Sequence, residues 1–254
     1  MTKSQAPNRL IPWLDVLAII AWGVLMLRYW LTGKLYLLIH PNFFGLVVAG
    51  GIALLIVGLL KAQELWRQRK RKREVTPNAQ HVNFFAPGLG SSLLLISAIL
   101  GLTITPQVFA SDKALQKGVT DLLTTSRVQP QSFRAAIRPE ERSLVDWVRT
   151  LSVYPEPDAY TGQKAKVQGF VIHPPDIGKE YIFIARFVLT CCAADAYPIG
   201  LPVKLSNNQE RYSPDTWLEI EGQMITETIN GKRQLTIAAK SLTKIPQPQN
   251  PYSY

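Results

Sequence analysis

Only two cysteines occur in the 254 residues, and they are adjacent: Cys191 and Cys192, in Leu189-Thr190-Cys191-Cys192-Ala193-Ala194-Asp195-Ala196. Neighbours in sequence rarely bridge each other, because the small ring strains the geometry a disulfide demands. Three readings stay open. The pair can be a small buried apolar turn. It can be a soft-metal site, for zinc or copper, in which one or both thiolates act with Asp195 and His173. It can also be a redox switch or an intermolecular disulfide. Two cysteines and one aspartate fall one ligand short of a closed zinc site, so a metal there needs His173, water or a partner. The other histidines, His40 and His81, read as surface residues. The chain has no Gly-rich phosphate loop, no nucleophile elbow, and no histidine spaced to activate a Ser or Cys, so enzymatic activity is not expected.

Composition separates the elements that must position these residues. Residues 1–110 carry eleven Lys and Arg against three acids, whereas residues 111–254 carry seventeen against fifteen. The high pI therefore belongs to one short run, Arg67 to Arg73, and not to a nucleic-acid-binding surface. Three stretches approach the roughly 20 apolar residues of a spanning helix: 12–31, 42–60 and 89–110. Asp15 and Arg28 lie near the ends of the first, where side chains can reach the headgroups. Tyr29, Trp30 and Tyr36 sit where an aromatic interface belt would lie. The loop 61–88 holds seven basic residues. Positive-inside reasoning puts that loop and the N-terminus in the cytoplasm, with the C-terminal domain outside the plasma (inner) membrane. The first stretch is too long, and lacks the small-residue site, for a cleaved leader. Gly45, Ala49 and Ala53, and Ser97, Gly101 and Thr105, form small-residue faces that permit close helix approach.

Residues 111–159 read as a partly helical connector, with a helix from Pro139 whose Leu144, Val145, Val148 and Leu151 cover an edge of the next domain. From residue 160 the apolar period falls to two. Lys164–Ile172, Tyr181–Thr190 and Trp217–Met224 read as strands, and Asn230-Gly231 as a hairpin turn leading to Leu235, Ile237 and Ala239. The expected fold is an α+β membrane protein: transmembrane helices over 1–110, then a small all-β domain over 160–254. An OB-like barrel is expected there, with a short β-sandwich as the alternative.

The combination of Thr32-Gly33-Lys34-Leu35, Ile39-His40-Pro41, Asp146-Trp147-Val148-Arg149, Gly169-Phe170-Val171 and the double-cysteine segment resembles an uncharacterised bacterial family. Trp217-Leu218-Glu219-Ile220-Glu221-Gly222 and Asn250-Pro251-Tyr252 extend the resemblance over nearly the whole chain. The family, YcgQ-like, is described as subunits of a two-component membrane permease complex. The resemblance implies a larger multi-spanning permease partner and marks Cys191, Cys192 and Asp195 as a signature without an assigned role. The expected function is an accessory subunit whose outer β domain regulates or feeds that permease. The alternative is a membrane-anchored extracytoplasmic metal-binding or thiol redox sensor. A lipid bilayer is an expected partner and nucleic acid is not, because the strands lack interleaved basic and aromatic residues.

Overall fold

The computed structural model describes residues 10–71, 88–119, 138–175, 177–206 and 208–254. The chain forms two compact units, Met1–Gln107 and Val108–Tyr254.

The first unit contains α1 (Ile11–Leu31), α2 (Phe44–Arg71) and α3 (Leu89–Thr103). Two helices, Ile11–Leu31 and Pro41–Arg69, are long and apolar enough to cross a membrane, which is compatible with insertion. Helix α2 outlasts the apolar stretch 42–60 and carries residues 61–71 of the expected basic loop as helix. Lys, Ala, Gln, Glu and Arg all favour helix there, and Gln68 donates to Glu64 one turn earlier at 3.1 Å. Residues 72–87 of that loop, with Lys72, Arg73 and His81, lie outside the described residues.

The expected third segment is shorter than 89–110. Helix α3 ends at Thr103, with Ile104 extended, because Pro106 disfavours helical backbone at Thr105. Its 15 residues span only about 22 Å.

Helix α1 lies between the other two. A Cβ on Gly58 would meet Ile20 at 2.6 Å, and one on Gly51 would meet Leu27 at 3.2 Å, so α2 runs antiparallel to α1 in close contact. These glycines make the contact, while Gly45, Ala49 and Ala53 are exposed on another face of α2. On α3, Gly101 abuts Leu25, whereas Ser97 is exposed. Polar bonds tie α1 to α3: Ser91 to Asp15, Trp22 Nε1 to Leu94 O at 3.0 Å, and Arg28 Nη1 to Leu102 O at 2.9 Å. Lys34 Nζ then reaches Thr105 Oγ1 at 3.4 Å, so the two helices run parallel. Arg28 and the hydroxyl of Tyr29 bind the carbonyls of Leu102 and Gly101, two of the acceptors a helix end leaves open. Tyr29 is accordingly buried, not part of an aromatic belt.

The second unit begins with α4 (Ser111–Gln116) and α5 (Leu144–Val153). Helix α5 starts at Leu144 and not at Pro139, whose segment forms a separate 3-10 turn. The start is set by a capping box in which Ser143 and Asp146 each accept the other's backbone N–H, at 3.2 and 3.1 Å.

Among the described residues six strands follow: β1 (Lys164–Ile172), β2 (Tyr181–Val188), β3 (Tyr197–Lys204), β4 (Trp217–Ile229), β5 (Lys232–Lys244) and β6 (Tyr252–Ser253). Strand β1 pairs antiparallel with β4, β4 with β5, and β2 with β3, while β5 and β3 are parallel. Three further pairs, Phe170↔Ala185 to Ile172↔Phe183, join β1 to β2, so the pairings of five strands return to their start. Asn230 and Gly231 both adopt positive φ, as a tight hairpin turn requires. At the β4 bulge, a Cβ on Gly222 would run into the carbonyl of Ala238. The ring encloses Val167, Ile184, Ile199, Leu218, Ile220 and Ile237, and Trp147 and Leu144 of α5 belong to the same buried cluster. Past Ala185, where β1 no longer pairs with β2, β6 takes its place in parallel, Phe187↔Tyr252 and Val188↔Ser253.

Candidate functional site

Cys191 and Cys192 lie in the loop between β2 and β3, with both of its ends pinned. Leu189 is buried and its N–H donates to Ser253 O at 2.9 Å, so the C-terminal strand holds the entry. Ala196 is buried at the exit, and its carbonyl accepts from Lys117 Nζ, just past α4.

Between these anchors the loop winds around one carboxylate. Asp195 accepts from Thr190 N at 3.2 Å through Oδ1 and from Cys191 N at 2.7 Å through Oδ2, and its own N–H donates to Cys192 O. Partial burial alone would raise the Asp195 pKa, but the Cys191 thiol and the backbone N–H groups of residues 190–192 outweigh it and hold the carboxyl below its ordinary range. Those bonds give Asp195 the task of shaping the loop.

Both thiols are free, Cys191 exposed and Cys192 half-buried, which rules out the fully buried turn. Cys191 Sγ lies 3.6 Å from Cys192 Sγ, well beyond the roughly 2.05 Å of a disulfide. Hydrogen bonding to Asp195 and to Cys192 pushes the Cys191 thiol up to about 11.

His173 is not brought to this loop. Its Nε2 sits 2.7 Å from Tyr212 O, and it follows Ile172, which pairs with Phe183 near the start of β2. The cysteines follow the other end of β2, five residues beyond Phe183, or about 16 Å along the strand before the loop is counted. Among the described residues no group of three or more His, Cys, Asp or Glu is placed to hold a metal ion. The four-residue set Cys191, Cys192, Asp195 and His173 is therefore not assembled, and what remains is a dithiol.

Residues 14–120 match the DUF1980 N-terminal domain and residues 125–254 the DUF1980 C-terminal domain. The chain belongs to the DUF1980 family. It is also similar to UPF0703 protein YcgQ of Bacillus subtilis (strain 168), 25% identical over 105 residues, covering 41% of this chain and 36% of that protein. The match thus spans about a third of that relative's length. No solved structure matches the chain.

Sequence reading missed the arginines that hold the C-terminal tail, whose Ser253 pins the entry of this loop. Arg186 reaches the carbonyls of Asn250 and Pro251 at 3.0 and 3.3 Å and lies over the Trp217 ring, and Arg149 Nη2 binds Tyr254 O at 3.0 Å. The available signal was a single arginine inside the apolar run Tyr181–Val188, because a half-buried guanidinium needs acceptors.

Proposed function

We propose that this chain is an accessory subunit of a two-component membrane permease, anchored by its helices, with an OB-like barrel on the non-cytoplasmic side that regulates or feeds the larger partner. The observation that carries the reading is the surface of the helical unit. Leu46, Ile56 and Leu60 of α2 and Leu93, Ile96 and Leu100 of α3 are all exposed, and Leu46 is 73% exposed. Such an apolar surface is costly in water and stable in lipid or against another spanning protein. Asp15, Trp22, Arg28 and Tyr29 bond to α3, which among the described residues of α1 takes up the polar groups that could line a solute path. A larger partner would supply that path.

The ring order β1-β2-β3-β5-β4, with its one parallel pair β3–β5, supports the OB-like reading. The parallel ladder from Asp15–Ser91 to Lys34–Thr105 supports α3 and its extended tail as a third crossing beside α1. Lys61, Arg67 and Arg69 at the end of α2 support a cytoplasmic position for that end. The exposed dithiol keeps the alternative, an anchored metal or thiol sensor, in view.

Affinity purification of the tagged full-length chain from its native membrane in mild detergent tests the proposal. A multi-spanning permease should co-elute in near-equal amount. Recovery of the chain alone, across several detergents, overturns the subunit reading.

A further inference from the structure

We infer that Cys191 and Cys192 form an open, two-thiolate seat for one thiophilic metal ion of the zinc class, with the remaining positions left to water or to a partner. In naming the kind of solute or regulator concerned, this deepens the subunit reading and rests on it.

The thiol of Cys191 donates to Cys192 Sγ, and the spacing of the two sulfurs suits a bent rather than a linear arrangement around an ion. Two sulfurs on a tetrahedral ion at about 2.3 Å each stand about 3.8 Å apart, whereas a linear two-coordinate ion would need about 4.6 Å. The observed separation is 3.6 Å, so a tetrahedral ion could enter with little movement of the loop. Cys191 is exposed, so the approach is open. Binding replaces thiol protons, which pass to solvent, with two metal–sulfur bonds.

The loop supplies these two ligands and no more. The Asp195 carboxylate accepts from the N–H groups of Thr190 and Cys191 and from the Cys191 thiol, so it is engaged in shaping the loop and places negative charge beside the sulfurs. His173 is at the far end of β2. A closed four-ligand site holds its metal as part of the fold, whereas one with two exchangeable positions can release it. Release is what a subunit that passes an ion to a neighbour requires.

Cadmium(II), titrated into the full-length chain in mild detergent under oxygen-free conditions with a phosphine reductant, is the probe. Thiolate-to-cadmium absorbance and metal retained after gel filtration are the readouts. The expected result is about one ion per chain, from the single dithiol. Cys191→Ser and Cys192→Ser should each weaken binding by more than about tenfold, the loss that even an outer-shell change causes. His173→Ala should leave binding unchanged, and unaltered melting of the serine variants would exclude misfolding as the cause. Absence of the thiolate band, retention of binding in both serine variants, or one ion shared by two chains would each overturn the inference. A chain that co-elutes with a permease yet binds no cadmium sinks this inference alone. One that binds cadmium through both thiols yet always purifies by itself sinks the subunit reading alone.

Discussion

In the β-sheet unit, Ile184, Ile199, Leu218, Ile220 and Ile237 belong to one buried core, while Lys166, Gln168, Glu219 and Glu221 pair with one another on the outside. In the helical unit Leu46, Ile56, Leu60 and Leu93 face outward, while Asp15 and Tyr29 turn inward to the third helix. The same side-chain chemistry has been sorted in opposite directions. Water stabilises the first arrangement by removing apolar surface, at about 25 cal/mol per Å². Hydrocarbon offers no such gain and penalises every unsatisfied polar group, so it favours the second. The contrast is compatible with a different solvent for each half, and it is the physical support for the proposed membrane placement.

The largest blow to this contrast should come from Trp147→Ala. Trp147 is fully buried in the β-sheet unit, and its truncation should cost about 3–5 kcal/mol. Limited proteolysis should then cut residues 108–254 at a lower temperature while the apolar helices stay protected. Equal loss of protection in both halves would show them to be one cooperative unit.

Next comes Ile52→Asp on the exposed face of α2. A carboxylate at the centre of a spanning helix raises the apparent insertion cost by about 2.5–3.5 kcal/mol, so the membrane-integrated fraction should fall sharply. A surface change in water usually stays within about 0.5 kcal/mol. An unchanged membrane fraction would therefore put this helix in water and remove the contrast.

Tyr29→Phe should have the smallest effect. It removes only the hydroxyl that donates to Gly101 O, at about 1 kcal/mol. Faster hydrogen exchange in the last turn of α3, with the amides of the β-sheet unit unaffected, is the expected readout.

Several elements were legible because their signals are local. Asn230-Gly231 can hardly avoid a tight turn, and the alternation of Leu218, Ile220 and Met224 gave the core face of β4, all three being fully buried. Strand β3 was not foreseen, because Pro198 and Pro202 interrupt it and proline is rare inside sheets. It is tolerated because β3 pairs with β5 only over Val203 and Lys204, so these prolines face no ladder on that side. The start of α5 was misplaced because Pro139 is itself a good first-turn residue, while the deciding bonds run between Ser143 and Asp146. At the site, the cysteines and Asp195 were visible through their proximity in sequence. The position of His173 was not, since only the β1–β2 register carries it to the opposite end of β2.

Sequence alone determined that long apolar helices precede a β-rich half and that the two sulfurs are neighbours, because hydropathy, period and adjacency are written residue by residue. Tertiary structure decided that Tyr29 is buried against α3, that Asp195 shapes the loop through the N–H groups of Thr190 and Cys191, and that the thiols stand 3.6 Å apart. It also removed His173 from their company. Each of these depends on which distant backbone group lies within hydrogen-bonding reach, and that is fixed only when the helices pack and the strand pairings close.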